Sequence, residues 1–572
     1  MHKQTIIDFK ALGKRLIFTQ PIAELVARKL DDVKQVLRQV QTYQDQGYYV
    51  VGYVSYEAAL AFEAHFAVKK KRLSQEHLAY FTVHKTAKAE PFPNSYEPVT
   101  MPTQWDNATT EPSYQAAIAA IHEQIRQGNT YQVNYTTCLS ADLAADSLAV
   151  YNRLVIEQGA SYNAYISHDD FAVVSVSPEL FFEKRGQKLI TRPMKGTTKR
   201  GLTAASDLKN KEWLQNDTKN RAENLMIVDL LRNDMGRISE IDSVRVTKLC
   251  QVEQYSTVWQ MTSTIESQLQ KDKGLPAIFE ALFPCGSITG APKIATMAII
   301  EKLEIQPRGV YCGTIGLCLP NGDALFNVAI RTLQIADSKA YYGVGGGITW
   351  DSQWQDEYIE TQQKSAVLTH TKPSFELLTT AKIENAQVTF VDQHLERLRE
   401  ASRYFAYPFD EEAICTQLST LCEQLDVQKT YRCRMRLDKL GQFTVDCEEL
   451  LPLAASMTEA VLVQRESSAD TPFYYFKTTY RKHISSASCE QIFISPDGFL
   501  QETSIGNIVL KYGDSYYTPP VEVGIVDGIY RRFLLDKGQV IEKQLTLSDL
   551  KKADAIYTCN SVRGLYELRL KS

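Results

Sequence analysis

The sequence lacks several features that would place a protein in a broad class at once. No apolar run approaches the roughly 20 residues that a membrane-spanning helix needs. Its 11 cysteines include no Cys-x-x-Cys pair and no Cys/His cluster. That excludes the common zinc and dithiol patterns and fits reduced thiols better than a disulfide framework. Net charge is -5, from 63 basic and 68 acidic residues, so no bulk positive field points to nucleic acid. An anionic small molecule would need a local basic pocket. Met1 to Gly13 is polar and mixed in charge, without a signal-peptide core, so a cytoplasmic location is expected. There is no short-period repeat.

What is present is the composition of an ordinary globular protein, 44% hydrophobic and 23% charged over 572 residues. That length is too great for one core. Pro21 to Gln41 reads as a helix, with Ile22, Leu25, Val26, Leu30, Val33 and Val36 near helical spacing. Gly47 to Ser55 reads as a strand. Tyr114 to Gln127 reads as an amphipathic helix, and a second, longer one runs through Ala222 to Arg232. Strands are expected at Tyr131 to Leu139, Phe171 to Val176, Thr314 to Leu319, Ala324 to Ile335 and Ala340 to Val344, and a helix after Trp350. The absence of strict strand–helix alternation predicts an α+β fold. A linker at Thr369 to Ser374, marked by Pro373, divides residues 1–368 from 375–572. Within the first part, a polar stretch near Ala89 to Pro112 separates an N-terminal region, about 1–112, from a core, about 113–368.

Chemistry-bearing residues cluster in that core. Lys195, in Arg192-Pro-Met-Lys-Gly-Thr197, ends an apolar strand beside a flexible glycine. Alone it reads more readily as a basic surface turn than as a nucleophile, which needs a deprotonated amine. Glu179, in Ser177-Pro-Glu-Leu180, stands between a strand and two phenylalanines, where a raised pKa would suit acid–base work. Glu223 lies on an apolar helix and needs a partner there. Glu357 and Glu360 share one helix face, and Lys364 one turn on offers Glu360 an ordinary ion pair. Hard oxygen ligands from two helices suit Mg2+ better than zinc. Gly286-Ser-Ile-Thr-Gly-Ala-Pro-Lys293 opens a helix and offers backbone N–H groups to a carboxylate, but lacks the phosphate-loop spacing. Arg331, within an apparent apolar strand, should pair with an acid or a bidentate carboxylate ligand.

Taken together and in order, Ser177-Pro-Glu-Leu, Pro193-Met-Lys-Gly-Thr, Ala222-Glu-Asn-Leu-Met, Gly286-Ser-Ile-Thr-Gly-Ala-Pro-Lys, Ala329-Ile-Arg-Thr and Gly345-Gly-Gly-Ile resemble the chorismate-binding enzymes. That family includes anthranilate, aminodeoxychorismate, isochorismate and salicylate synthases, and it implies an anthranilate synthase component I-like fold. Anthranilate synthases carry alanine where Lys195 stands, and aminodeoxychorismate synthases carry lysine. The resemblance therefore implies amination of chorismate at C4, with Lys195 adding at C2 and Glu179 as acid–base group. It implies Mg2+ on Glu223, Glu360 and Glu357. Thr289, Gly290, Tyr311, Arg331, Lys364 and the backbone of Gly345, Gly346 and Gly347 would bind substrate carboxylates. Gln260 departs from the family, where many relatives have histidine, and it cannot titrate. No cysteine-nucleophile motif of a glutamine amidotransferase is present, so a separate subunit of that kind is implied, with ammonia as its substitute.

In the second part, Lys477 follows Phe473-Tyr-Tyr-Phe476, and Glu502 precedes a strand. A lysine so placed could be desolvated, and a buried carboxylate there could pair with a pyridinium nitrogen. With His394 to Glu400, Thr518 to Arg531 and Cys559 to Gly564, these stretches resemble fold-type IV pyridoxal-phosphate enzymes, a second α+β fold. The resemblance implies that Lys477 bonds pyridoxal 5'-phosphate, that Glu502 contacts its ring nitrogen, and that Arg397, Val526 and Ser561 hold its phosphate. Arg434 is the candidate for a substrate carboxylate. The two resemblances together imply 4-aminobenzoate synthesis, amination followed by pyruvate elimination. An aminotransferase in the second part, or isochorismate or salicylate formation in the first, are the alternatives. A homodimer through the second part is compatible with this resemblance.

Overall fold

The structure is a computed structural model that describes residues 3–454, 457–484 and 488–571. It divides into two units, residues 1–198 with 213–372, and residues 199–212 with 373–572.

The first unit rests on two 10-stranded sheets, each with nine strands in one continuous order and a tenth to the side, Asp106–Asn107 on Gln132–Asp142 in one and Arg245–Gln254 on Val258–Gln268 in the other. One runs in the order Gly290–Ala291, Gln132–Asp142, Lys339–Ile348, Thr332–Ala336, Phe171–Ser177, Tyr162–His168, Gln4–Phe9, Arg15–Thr19 and Lys88–Glu90. The other runs Met194–Lys199, Val258–Gln268, Lys188–Arg192, Leu180–Arg185, Ala324–Val328, Thr314–Cys318, Tyr49–Val54, Ala79–His84 and Ala23–Ala27. Their facing sides bury Phe9, Phe18 and Ile166 from the first sheet against Val51, Tyr53, Ile315 and Leu317 from the second. Each such side chain contributes about 1.5–3 kcal/mol by leaving water. The outer face of the second sheet packs the helices Leu30–Asp45, Thr218–Gly236 and Leu275–Leu282 through Val36, Leu231 and Phe279. The helix Ser147–Gln158 covers the first sheet through Val150 and Leu154.

Three expectations are corrected here. The segment read as one helix from Pro21 holds a strand first, Ala23–Ala27, and the helix starts at Leu30. Leu25 pairs with Phe81 in the ladder, so its spacing from Ile22 was coincidental with a helical period. The single strand expected at Ala324 to Ile335 is two strands, Ala324–Val328 and Thr332–Ala336, in different sheets. Arg331 sits at the break with φ of 53°, a left-handed conformation that no strand propagates. Among the cysteines, Cys433 and Cys447 are direct cross-strand partners and form a disulfide, against the expectation of reduced thiols.

The second unit has a four-stranded sheet, Gln387–Val388, Leu377–Glu384, Tyr431–Leu437 and Phe443–Glu449. Helices Val391–Phe405 and Glu411–Gln424 pack on it through Leu395, Ile414 and Leu418 against Ala381 and Met435. An eight-stranded mixed sheet completes the unit and carries Glu502 on the strand Leu500–Thr503. Among the described residues, no helix is long and apolar enough to cross a membrane.

Candidate active sites

In the first unit Lys195 lies on the strand Met194–Lys199 and is pinned from two sides. Asn224 of the helix Thr218–Gly236 donates to the Lys195 carbonyl at 3.4 Å, and Ser263 donates in turn to the Asn224 side chain. Gln260 donates to the Gly196 carbonyl at 2.8 Å and accepts from the Thr197 hydroxyl at 2.8 Å. The residue that departs from the family thus braces the lysine loop through neutral hydrogen bonds. Gly196 takes a φ of 89°, and a side chain there would meet Asn220.

The Lys195 amine is surrounded by protein although part of the residue remains open to water. Burial lowers its pKa, while Glu179, Glu223 and Glu360 pull it back up. Glu179 is 4% exposed, and its Oε1 accepts from the Ser287 hydroxyl at 2.7 Å. Burial pushes its carboxyl up to about 7, against the opposing pulls of Ser287 and Lys195. A carboxyl raised in this way can serve as the acid beside the amine near neutrality.

The glycine run forms the floor. A Cβ at Gly347 would lie 3.1 Å from Lys195 Nζ and 2.4 Å from Gln132 Nε2. One at Gly346 would lie 3.1 Å from Glu357 Oε2 and 3.9 Å from Glu360 Oε1. Lys364 donates to the Gly345 carbonyl at 2.8 Å and pairs with Glu360 at 2.5 Å. Burial opposes the charge on Glu360, but Lys364 and Lys195 outweigh it and hold this carboxyl low. Burial and the charge of Glu360 push Glu357 up, and burial also raises Glu223.

These three carboxylates fit a hard divalent cation in donor chemistry. Among the described residues, however, they are not gathered within 4.8 Å of one another as a set, and Lys364 supplies the local positive charge.

The other expected ligands are placed unequally. Arg331 has no acidic partner among the described residues. Its Nη1 donates to the Lys364 carbonyl at 3.1 Å and to Gln158 at 3.4 Å, and its charge helps hold the Glu360 carboxyl low. Thr289 is fully buried and spends its hydroxyl on the Cys285 carbonyl at 3.1 Å. Gly290 packs against the Gln132 carbonyl at a place where a side chain would clash. Tyr311 is buried against Gly343 and borders a small separate recess with Thr136, Thr137 and Arg308.

Sequence reasoning missed Gln132 and Ser287. Gln132 is fully buried with neither amide atom hydrogen-bonded, beside the Lys195 amine. No spacing marks it, because its role comes from the pairing of its strand with Gly290–Ala291.

The second unit gathers its expected residues in one cavity of about 710 Å³, lined by Arg397, Arg434, Lys477, Glu502, Val526 and Ser561 among others. Lys477 is held by the Leu378 N–H donating to its carbonyl at 3.0 Å. Burial, with Arg397 and Arg481 adding to it, pushes its amine down to about 7. Glu502 is 5% exposed, and burial raises its pKa against the pull of Arg465. Its Oε2 accepts from the Val526 N–H at 3.1 Å, and its Oε1 has no hydrogen-bond donor, although Arg465 Nη2 lies at 3.5 Å.

That orphaned acceptor, in a cavity that also holds a neutralisable lysine and basic side chains, fits a protonated pyridine ring bearing an aldehyde and a phosphate. Arg397 donates to the Asp527 carbonyl at 2.8 Å, and burial and Arg532 lower its pKa to about 10. Ser561 donates to the Thr380 carbonyl at 2.9 Å. The Val526 N–H, expected at a phosphate, is here spent on Glu502. Arg434 lines the cavity without an ion pair among the described residues. Arg465, stacked on Phe493 and Tyr474, was missed because it lies far from Glu502 in sequence.

Comparisons with known proteins follow this division. Residues 3–370 match the family model described as chorismate binding enzyme, and residues 376–570 match amino-transferase class IV. Aminodeoxychorismate synthase component 1 of Bacillus subtilis (strain 168) is 39% identical over 256 residues, which cover 45% of this chain and 54% of that protein. Its counterpart in Escherichia coli (strain K12) is 37% identical over 268 residues, covering 47% and 59%. The matches thus span little more than half the length of these relatives. Anthranilate synthase component I from Streptococcus pneumoniae TIGR4 is similar in fold, with a TM-score of 0.55 at 24% identity, covering 64% of this chain and 92% of that one.

Proposed function

The chain belongs to the chorismate binding enzyme family, and on that premise we propose that it makes 4-aminobenzoate from chorismate in two steps. Residues 1–368 aminate chorismate at C4, residues 375–572 eliminate pyruvate from the product, and residues 369–374 link them. The observation that carries the first step is Lys195 beside a carboxyl, Glu179, that titrates at about 7. Lys195 Nζ adds to C2 of chorismate as the C4 hydroxyl departs, and Glu179 gives that hydroxyl its proton. Ammonia then adds at C4, both ring double bonds shift back, Lys195 leaves as the free amine, and the surplus proton of the new ammonium returns to Glu179. Arg331, Lys364 and the glycine run hold the substrate carboxylates. Glu223, Glu357 and Glu360 would hold Mg2+, which when bound supplies positive charge for the ring carboxylate.

In the second step, Lys477, Glu502, Arg397 and Ser561 would hold pyridoxal 5'-phosphate, which when bound supplies an electron sink. Glu502 would favour a protonated ring nitrogen there, because its Oε1 has no donor of its own and could accept from it. Lys477, with an amine at about 7, takes and returns the substrate proton near neutrality. Arg434 receives a substrate carboxylate. Carrying both sites on one chain raises the local concentration of the intermediate. A separate glutamine amidotransferase subunit is the proposed ammonia source, the assembly is proposed as a homodimer, and the location as the cytoplasm.

The test supplies the purified chain with chorismate, ammonia, Mg2+ and pyridoxal phosphate. Equal amounts of 4-aminobenzoate and pyruvate are expected. Absence of 4-aminobenzoate with the cofactor bound refutes the reading. The rival, an aminotransferase in residues 375–572, would instead require an amino donor and a 2-oxo acid, and adding them separates the two.

A further inference from the structure

Away from both candidate sites, the first unit brings two histidines together from different sheets. His77 precedes the strand Ala79–His84 of one sheet, and His168 ends the strand Tyr162–His168 of the other. Their ring centroids are 5.0 Å apart, with planes within 17°. They are 5% and 0% exposed, and the Nδ1 of each lacks a hydrogen-bond partner. An unsatisfied buried polar atom costs roughly 1–3 kcal/mol, so two such nitrogens on neighbouring rings call for a partner.

Asp169 supplies a third group. It sits in the turn between Tyr162–His168 and Phe171–Ser177, with φ of 45°, and its Oδ2 lies 3.7 Å from His168 Nδ1. One ligand atom from each of His77, His168 and Asp169 lies within 4.8 Å of the other two. On the far side of its ring, His168 Nε2 is 3.0 Å from the Tyr53 hydroxyl. That contact admits the tautomer with an N–H at Nε2 donating to the Tyr53 oxygen, which gives Nδ1 a lone pair, the arrangement that orients metal-ligating imidazoles. Burial drives both imidazoles towards the neutral, ligating form, His168 to about 3 with His77 adding to the effect. Lys3, 4.0 Å from Asp169 Oδ1, is held mainly by Glu24 at 2.7 Å, which leaves Oδ2 facing the histidines.

We propose that His77, His168 and Asp169 bind a divalent transition-metal ion of the zinc class, through two imidazole nitrogens and one carboxylate oxygen. Two nitrogens and one oxygen suit Zn2+ or Co2+ and do not suit Mg2+, which prefers oxygen alone. Asp169 is exposed, so the fourth position opens to water. The ion would tie the turn of one sheet to the neighbouring strand of the other.

The test titrates the chelator-treated full chain with Co2+, whose visible absorption is strong in a tetrahedral nitrogen–oxygen site and weak in an octahedral carboxylate one. One equivalent with strong bands is expected, displaced by Zn2+. His77→Asn and His168→Asn should abolish the bands, and Glu360→Gln, in the separate carboxylate set, should leave them. Asp169→Ala changes an exposed residue, keeps the core intact and should weaken Co2+ affinity by at least about tenfold. Zn2+ should raise the Tm of the parent chain more than that of Asp169→Ala. Strong bands that survive both His77→Asn and Asp169→Ala, or no strong bands in the parent chain, would overturn the proposal. Should the histidine variants fail to fold, the Asp169→Ala titration decides alone.

Discussion

The two units solve one problem, keeping a lysine amine reactive, with opposite electrostatics. Around Lys477 the neighbours are largely cations, and Arg397 and Arg481 reinforce burial to bring the amine to about 7. Around Lys195 the neighbours are largely carboxylates, and only burial and Lys364 work against them. The first arrangement holds a free amine ready at rest. The second sets carboxylates against that burial and places beside the amine an acid, Glu179, whose carboxyl burial pushes up to about 7. A lysine that must stay available to a bound aldehyde needs the former. A lysine that must attack while a neighbour protonates a leaving hydroxyl is served by the latter.

The contrast is broken most sharply by exchanging each amine for a methyl group. Lys477→Ala should abolish the near-visible absorbance of lysine-linked cofactor and reduce 4-aminobenzoate formation to background, while chorismate is still consumed with ammonia. Lys195→Ala should abolish the ammonia-dependent consumption of chorismate, and with it 4-aminobenzoate, while the near-visible absorbance and, followed by calorimetry, chorismate binding are largely kept. If Lys195→Ala lost that absorbance, or Lys477→Ala lost the consumption of chorismate, while folded, the two sites would not be independent.

Glu179→Gln should come next, with a loss of about 10²–10⁴-fold in amination and none in cofactor binding. In the parent chain, amination should fall as pH rises through about 7, because the acid form of Glu179 is the one required. The glutamine variant should lose that limb of the pH–rate profile.

Gln260→Ala removes two neutral hydrogen bonds from the lysine loop. It should lower kcat by roughly tenfold, the scale of about 1.4 kcal/mol of positioning, without moving the profile. A shifted profile would show that Gln260 tunes a proton and does not merely brace the loop.

The smallest effect expected is on stability. The Glu179 carboxyl has a folded pKa raised above its unfolded value, so its contribution is full below about 4.5 and is lost as pH rises through about 7. Glu179→Gln should therefore gain Tm over the parent at pH 8 and little at pH 4, measured by calorimetry.

Much of both sites was legible in one dimension because the motifs are local. Lys195 with its glycine, Glu179 after its strand, and the helix carrying Glu357 and Glu360 each fit within a few residues. What escaped was contact between distant strands. Ser287 meets Glu179 across 108 residues, and Arg465 meets Glu502 across 37. Arg331 read as a strand residue because its neighbours are apolar, and its left-handed backbone is visible only where the chain changes sheets. The helix expected from Pro21 failed for a related reason, since a short apolar run fits either period until a partner strand selects one.

The sequence by itself determined which side chains are available, their order along the chain, and the α+β division into two parts, since these rest on local spacing and on residue identity. Only the tertiary structure decided which amine is surrounded by cations and which by carboxylates, which hydroxyl holds Glu179, and that His77 and His168 meet at all. Protonation and metal affinity depend on burial and on charges a few ångströms away, and those distances are set by the packing of segments that lie far apart in the chain.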